Sequence, residues 1–329
     1  MHSERIAAPG IEALTGGAGL IPQSPWGHLF VTGRDRVSYL HGLLTNDIEA
    51  LGAGEGCYAA LLTAQGRMIT DMRVFNLEEG ILIEVPRALA SDVRTRLERF
   101  VFSEDVQVAD QSTSRAELGV YGPKAADTIA ALCGDRDAAA LERMPMLSTA
   151  ARRIADRDVL VIRSDSAGVA GFDLIVKAED AEALAASLRA AGAVDVDDAS
   201  AEIVRIEAGI PRFGVDMNEE TIPLEAGIEA RAISRTKGCY PGQEVIVRVL
   251  DRGHGRVARR LVRLLLPEGA ATPAPGTPIR SGDREIGRIT SAAWSPSHAR
   301  PIALGYVHRD FTEGGTRVDV AGVDAEVRA

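Results

Sequence analysis

At 329 residues the chain is longer than one ordinary hydrophobic core supports, which predicts two or three domains. Its 46% hydrophobic and 26% charged residues exclude a fibrous or low-complexity protein, and a formal net charge of −10 excludes a general nucleic-acid binder, whose affinity comes from neutralising phosphates. Cys57, Cys133 and Cys239 are widely spaced with no Cys-x-x-Cys, which argues against a disulfide framework and against a zinc or four-thiolate site. No permanently bound metal is therefore expected. Neither a basic-then-apolar leader nor a membrane-length apolar run is visible, so the expected address is the reducing cytoplasm, with no membrane partner.

Residues 1–25 carry Gly16-Gly17-Ala18-Gly19, Pro22 and Pro25, and read as a loosely ordered lead-in. A short strand is predicted at 29–31, followed by a turn at Gly33. Asp35 is placed as N-cap of a helix that aligns Val37, Leu40, Leu43 and Leu44 on one face. Strands are predicted over 58–62, 68–75 and 81–85, with turns at Gln65-Gly66-Arg67 and Glu78-Glu79-Gly80. Pro86 opens a helix whose apolar positions include Leu89, Val93, Leu97 and Val101, and a strand near 106–108 closes this first unit.

The pattern then restarts. A strand at 118–121, a turn at Gly122-Pro123 and a helix over 125–132 lead to strands at 159–162 and 172–176 and an alanine-rich helix over 180–191. Strand–glycine–helix at 30–44 and again at 120–132 points to duplicated α+β units, divided near residue 113. A shorter repeat follows, with Ile206-Glu207-Ala208-Gly209-Ile210 recurring as Leu224-Glu225-Ala226-Gly227-Ile228. Each glutamate ends an apolar run and precedes a glycine, the pattern of a solvated helix terminus, a reading favoured for Glu225.

The most informative stretch is Lys237-Gly238-Cys239-Tyr240-Pro241-Gly242-Gln243-Glu244. Gly238 and Gly242 permit backbone angles closed to other residues, Pro241 stiffens the turn, and Lys237 stands next to a thiol whose reactive form is the thiolate. A plain turn would explain the glycines and proline, but not Lys, Cys, Gln and Glu together. The β-branched run Val245–Leu250 reads as a buried strand. Further β-like runs at 261–266, 286–290, 302–307 and 317–320, separated by Gly and Pro clusters, predict a small all-β barrel or sandwich. The expected division is thus 1–244 and 245–329.

Other candidates carry less. Gly52-Ala53-Gly54-Glu55-Gly56 is followed by no helix and fails as a dinucleotide loop. His28, His41, His254, His298 and His308 have no metal-ligand spacing and read as surface or packing residues, His254 at a loop tip.

The octet resembles the signature Lys-Gly-Cys-Tyr/Phe-x-Gly-Gln-Glu of the YgfZ family. These are folate-binding iron–sulfur assembly and tRNA-modifying factors related to the T-protein (aminomethyltransferase) of the glycine cleavage system. The resemblance implies a T-protein-like α+β fold: repeated folate-binding units followed by a C-terminal β-barrel. It further implies tetrahydrofolate, or a one-carbon derivative, as ligand, and iron–sulfur client enzymes or assembly factors as partners. On this reading the protein is an accessory factor in assembly or repair of iron–sulfur enzymes. Cys239 would be the reactive thiol, activated by Lys237, with Gly238, Tyr240, Gly242, Gln243 and Glu244 as the motif around it. Arg205 through Gly209 is similar to the T-protein segment whose glutamate contacts the pterin, which assigns Glu207, with Arg205, to the ligand. Gly66 through Asp71 is similar to the T-protein segment that places an aspartate beside the reactive folate nitrogen. Here one acid is replaced by Thr70, leaving Asp71 alone, and ordinary aminomethyl transfer is expected to be lost. The alternative is a tetrahydrofolate-dependent aminomethyltransferase or other one-carbon enzyme.

Overall fold

The computed structural model describes residues 9–22, 24–253 and 255–328. A helix over Pro9–Gly16 and strand β1 (Gly19–Ile21) open the chain. A five-stranded sheet follows, built from β2 (Trp26–Thr32), β3 (Gly56–Leu62), β4 (Met68–Leu77), β5 (Gly80–Pro86) and β6 (Gln107–Asp110) in the order β3-β4-β5-β2-β6. The helix Ala90–Glu98 covers it by burying Ala90, Val93 and Leu97 against Leu29, Val31 and Ile83. Such i, i+3, i+4 spacing is what presents one apolar face to a sheet.

The second sheet contains β7 (Arg115–Tyr121), β8 (Thr149–Ile154), β9 (Arg157–Ser164), β10 (Gly171–Lys177) and β11 (Val194–Asp195), ordered β11-β1-β7-β10-β9-β8. The described part of the lead-in is therefore not loosely ordered, because β1 pairs parallel with β11 and antiparallel with β7. Its glycines serve close packing. A Cβ on Gly19 would lie 2.7 Å from Val196 Cγ2, and one on Gly122 would lie 2.7 Å from the Gly17 carbonyl oxygen. Residues 1–8 and Gln23, also read as lead-in, lie outside the described residues, as does His254. Residues 26–110 are consequently nested within the chain of the second sheet, and the two units do not simply follow one another. The sheets meet across Phe75, Leu82, Ile162 and Ile175.

Beyond them, β12 (Arg259–Leu265), β13 (Pro278–Ser281), β14 (Arg284–Ser295), β15 (Arg300–His308), β16 (Arg317–Val320) and β17 (Val323–Arg328) close into a six-stranded antiparallel barrel. Val245–Leu250 is not its first strand. Residues Gln243–Val247 form an α-helix that runs on as a π-helical segment over Arg248–Arg252. The β-branched composition is overridden by packing: Ile246 is fully buried with Leu62, Met68 and Tyr240, while Val247 faces solvent.

The two halves of the Glu-Ala-Gly repeat have a common explanation. Helices Asp198–Ala208 and Pro223–Ala226 each end on a left-handed glycine, Gly209 and Gly227, both at φ 74°. The repeated glycine is a helix stop.

Candidate functional site

The octet wraps against the β3–β4 turn. Gly242, at φ 84°, would drive a Cβ to 2.4 Å from the Thr63 carbonyl oxygen, so glycine is required there by both backbone angle and space. Tyr240 is buried beneath, with Lys237 Nζ 5.0 Å from its ring centroid. Gln243 and Glu244 occupy the first turn of the short helix. Gly238 passes His41, whose Nε2 lies 3.9 Å from where a Cβ would sit.

Lys237 itself is buried, and its ammonium donates to the carbonyls of His41 and Leu44, the latter at 2.5 Å. It thus terminates the helix Arg36–Leu43. Burial lowers its pKa to about 8, against the opposing pull of Asp47, Cys57 and Glu49. Cys239 is exposed, and the hydrogen bonds of the neighbouring ammonium go to backbone oxygens. Burial pushes the Cys57 thiol up to about 12 and raises that of Cys133.

Asp71 stands on β4, opposite Ala60 of β3, and is buried. Its Oδ2 accepts from the Tyr58 hydroxyl at 2.7 Å, and its Oδ1 has no hydrogen-bond partner among the described residues. Burial raises the carboxyl above the ordinary range, more than Tyr58 and Arg73 lower it. The Arg231 guanidinium lies 5.5 Å from the Tyr58 ring centroid and pairs with Asp165 at 3.0 Å. Asn46 Nδ2 donates to the carbonyls of Tyr58 and Arg231, tying the loop after the helix Arg36–Leu43 to the Glu229–Ala232 helix. Thr70 is buried and donates to the Asp71 carbonyl oxygen at 2.9 Å.

Glu207, on the last turn of the helix Asp198–Ala208, reaches the barrel instead. Its Oε1 accepts from the Ser297 hydroxyl at 2.7 Å and from that of Ser295 at 2.5 Å. It lines a cavity of about 390 Å³ together with Arg263, His298, Ile302 and Arg328. That volume lies within the range of small-molecule pockets. Asp71, Lys237 and Cys239 are not among its lining residues.

Arg205 contributes no free donor. Nε and Nη2 donate to Glu202, Nη1 to Asp216 and to the Ile210 carbonyl, and Nη2 also to Ser291. With all five N–H groups engaged, Arg205 clamps its helix to the 210–216 loop and to β14, and is a framework residue.

The architecture agrees with known proteins throughout its length. The GCVT N-terminal domain family matches residues 3–237, and the glycine cleavage T-protein C-terminal barrel domain matches residues 259–329. The chain is 31% identical over 307 residues to an aminomethyltransferase of Rubrobacter xylanophilus, covering 93% of this chain and 80% of that protein. The chain belongs to the glycine cleavage T-protein family. An aminomethyltransferase of Streptomyces avermitilis is 30% identical, with coverage of 94% and 82%. The crystal structure of aminomethyltransferase T from Bartonella henselae superposes with a TM-score of 0.85 at 24% identity, over 98% of this chain and 88% of that one, and shares the fold.

Within this T-protein fold, Tyr58, which donates to Asp71, and Arg231, which lies over the Tyr58 ring, were not singled out by the sequence. Tyr58 could have been found by alternation along β3, because it stands two residues from Ala60, the partner of Asp71, and so on the same face. Arg231 carried no comparable signal.

Proposed function

We propose that the chain binds a reduced folate and performs one-carbon transfer on it, in the manner of its aminomethyltransferase relatives. The observation that carries this reading is the buried, unpartnered Oδ1 of Asp71, beside Tyr58, in a T-protein-family fold. A buried acceptor without a donor is costly, and a ligand N–H supplies what is missing. A folate fits this donor need, since its amine and aminopyrimidine groups present N–H bonds to carboxylates. Glu207, in its own cavity, is the second acceptor suited to such a ligand. When bound, the folate supplies the one-carbon carrier chemistry. Asp71 orients an amine nitrogen through Oδ1 and holds or accepts its proton, a task favoured by a carboxyl that burial raises above its ordinary range. Tyr58 fixes the carboxylate by donating to Oδ2.

A second reading, support of iron–sulfur enzymes, rests on Cys239, an exposed thiol on a turn held rigid by Gly242 and the buried Lys237 and Tyr240. One experiment separates the two. The purified protein is assayed for glycine cleavage with lipoylated carrier protein and tetrahydrofolate, alongside Asp71→Asn and Cys239→Ala. Turnover abolished in Asp71→Asn and retained in Cys239→Ala supports one-carbon transfer. No turnover in wild type, with Cys239→Ala failing to sustain iron–sulfur enzymes in cells lacking the endogenous protein, supports the second reading and sinks the first.

A further inference from the structure

Five ionisable side chains stand in mid-strand among apolar neighbours and meet where the two sheets face one another. They are His28 on β2, Arg73 on β4, Glu84 on β5, Glu117 on β7 and Asp173 on β10, and all are buried. His28 and Glu84 are direct cross-strand partners, as are Arg73 and Glu84, while Glu117 and Asp173 come from the second sheet. Arg73 spreads its fork over the three acids. Nε lies 2.6 Å from Glu84 Oε2, Nη2 donates to Glu117 Oε1 at 3.0 Å, and Nη1 donates to Asp173 at 2.5 Å. Each glutamate thereby turns its other oxygen toward His28, whose Nε2 is 2.9 Å from Glu117 Oε2 and 3.9 Å from Glu84 Oε1.

These imidazole and carboxylate atoms all lie within 4.8 Å of one another. Glu84 Oε1 has no hydrogen-bond partner among the described residues, although the residue is 0% exposed. With His28 neutral, one guanidinium faces three carboxylates, an excess of two negative charges in a dry interior. Charge buried without compensation is too costly to persist, so something positive must enter or protons must be taken up. A divalent cation cancels the excess in full.

We propose that His28 Nε2, Glu84 Oε1 and Glu117 Oε2 bind a divalent first-row transition cation, with Arg73 orienting both carboxylates from their other oxygens. One imidazole with two carboxylates suits zinc, iron(II) or manganese better than a soft monovalent metal. An outer-shell partner on each ligating carboxylate is the usual companion of such sites. The cation would join β2 and β5 of the first sheet to β7 of the second. Sequence spacing gave no hint of it, because the three ligands are brought together only by strand register.

The test uses the full chain, wild type and Glu84→Gln, refolded from denaturant with excess Zn2+ or Mn2+ and then freed of unbound metal. Elemental analysis and thermal melting are the readouts, with His28→Asn as a second variant. Wild type should retain roughly one cation per chain and melt higher after loading. Glu84→Gln, which keeps the shape and deletes the charge, should lose affinity by at least the roughly 10–100-fold that loss of an outer-shell partner costs. A wild type that refolds without stoichiometric metal overturns the proposal and makes the cluster proton-balanced. So does a Glu84→Gln protein that matches wild type in metal content and metal-dependent melting.

Discussion

Lys237 Nζ donates to the carbonyl oxygen of Leu44 at 2.5 Å, so the cation two residues before Cys239 closes a helix. Lys237→Met should destabilise the protein by roughly 1.5–3 kcal/mol, the range for hydrogen bonds from a charged group, as measured by denaturant unfolding. The same residue gives a pH signature. Its folded pKa of about 8 lies below its unfolded value, so the unfolded chain binds more protons between pH ~8 and ~10.4. Stability contributed through this group rises with pH across that window, and Lys237→Met should remove the rise. An unchanged pH profile in the variant would show that the ammonium is solvated.

Asp71 behaves in the opposite sense. Its folded carboxyl titrates above the ordinary value of about 3.9, so the folded state keeps a proton that the unfolded chain has released. Stability should fall as pH rises from ~4 toward the folded pKa. Asp71→Asn should flatten that fall and leave the neutral-pH melting temperature equal or higher, while one-carbon transfer drops by about 10²–10⁴-fold. A destabilised Asp71→Asn at pH 7 would mean that the carboxylate is a structural acceptor.

Arg205→Ala breaks a buried pair with Asp216, and should cost about 3–5 kcal/mol on unfolding. Folate affinity of the folded fraction, measured by calorimetry, should be unchanged. Lost affinity at intact stability would return Arg205 to the ligand.

Alkylation should distinguish the three thiols. Cys239 is exposed, whereas burial raises the thiols of Cys57 and Cys133, the former to about 12. Peptide mass spectrometry after brief labelling at pH 8 should find Cys239 modified first, and Cys239→Ala should shift stability by no more than about 0.5 kcal/mol. Equal labelling of Cys57 would contradict the burial.

Much of this was legible in the residues. The antiparallel run from Tyr58 to Val85 announces itself through apolar strands and glycine turns, and its observed strands differ from expectation by a few residues at the ends. The barrel was readable from four runs. Strand Pro278–Ser281 was hidden by the proline at its start, and Val323–Arg328 by its alternating charges. The helix over Gln243–Val247 was misread because β-branched composition is weaker than a buried face, here that of Ile246. The octet drew attention to Cys239 and Lys237, but which way an ammonium points is a tertiary fact. The central cluster does leave a signal in the sequence: five largely apolar strands are interrupted by His28, Arg73, Glu84, Glu117 and Asp173. Such residues are retained in dry strands only where partners await them.

The parallel pairing of Gly19 with Val194 bears on synthesis. A chain emerging from the ribosome N-terminus first can complete its five-stranded sheet once Asp110 is free, because β2 through β6 are contiguous in sequence. Residues Gly19–Ile21 must wait for β7, and find their second neighbour only when Asp195 has appeared. Translation thus leaves the earliest strand unpaired while the domain inserted after it is already closed. A chain truncated after Asp110 should protect 26–110 from protease and leave Gly19–Ile21 open to cleavage.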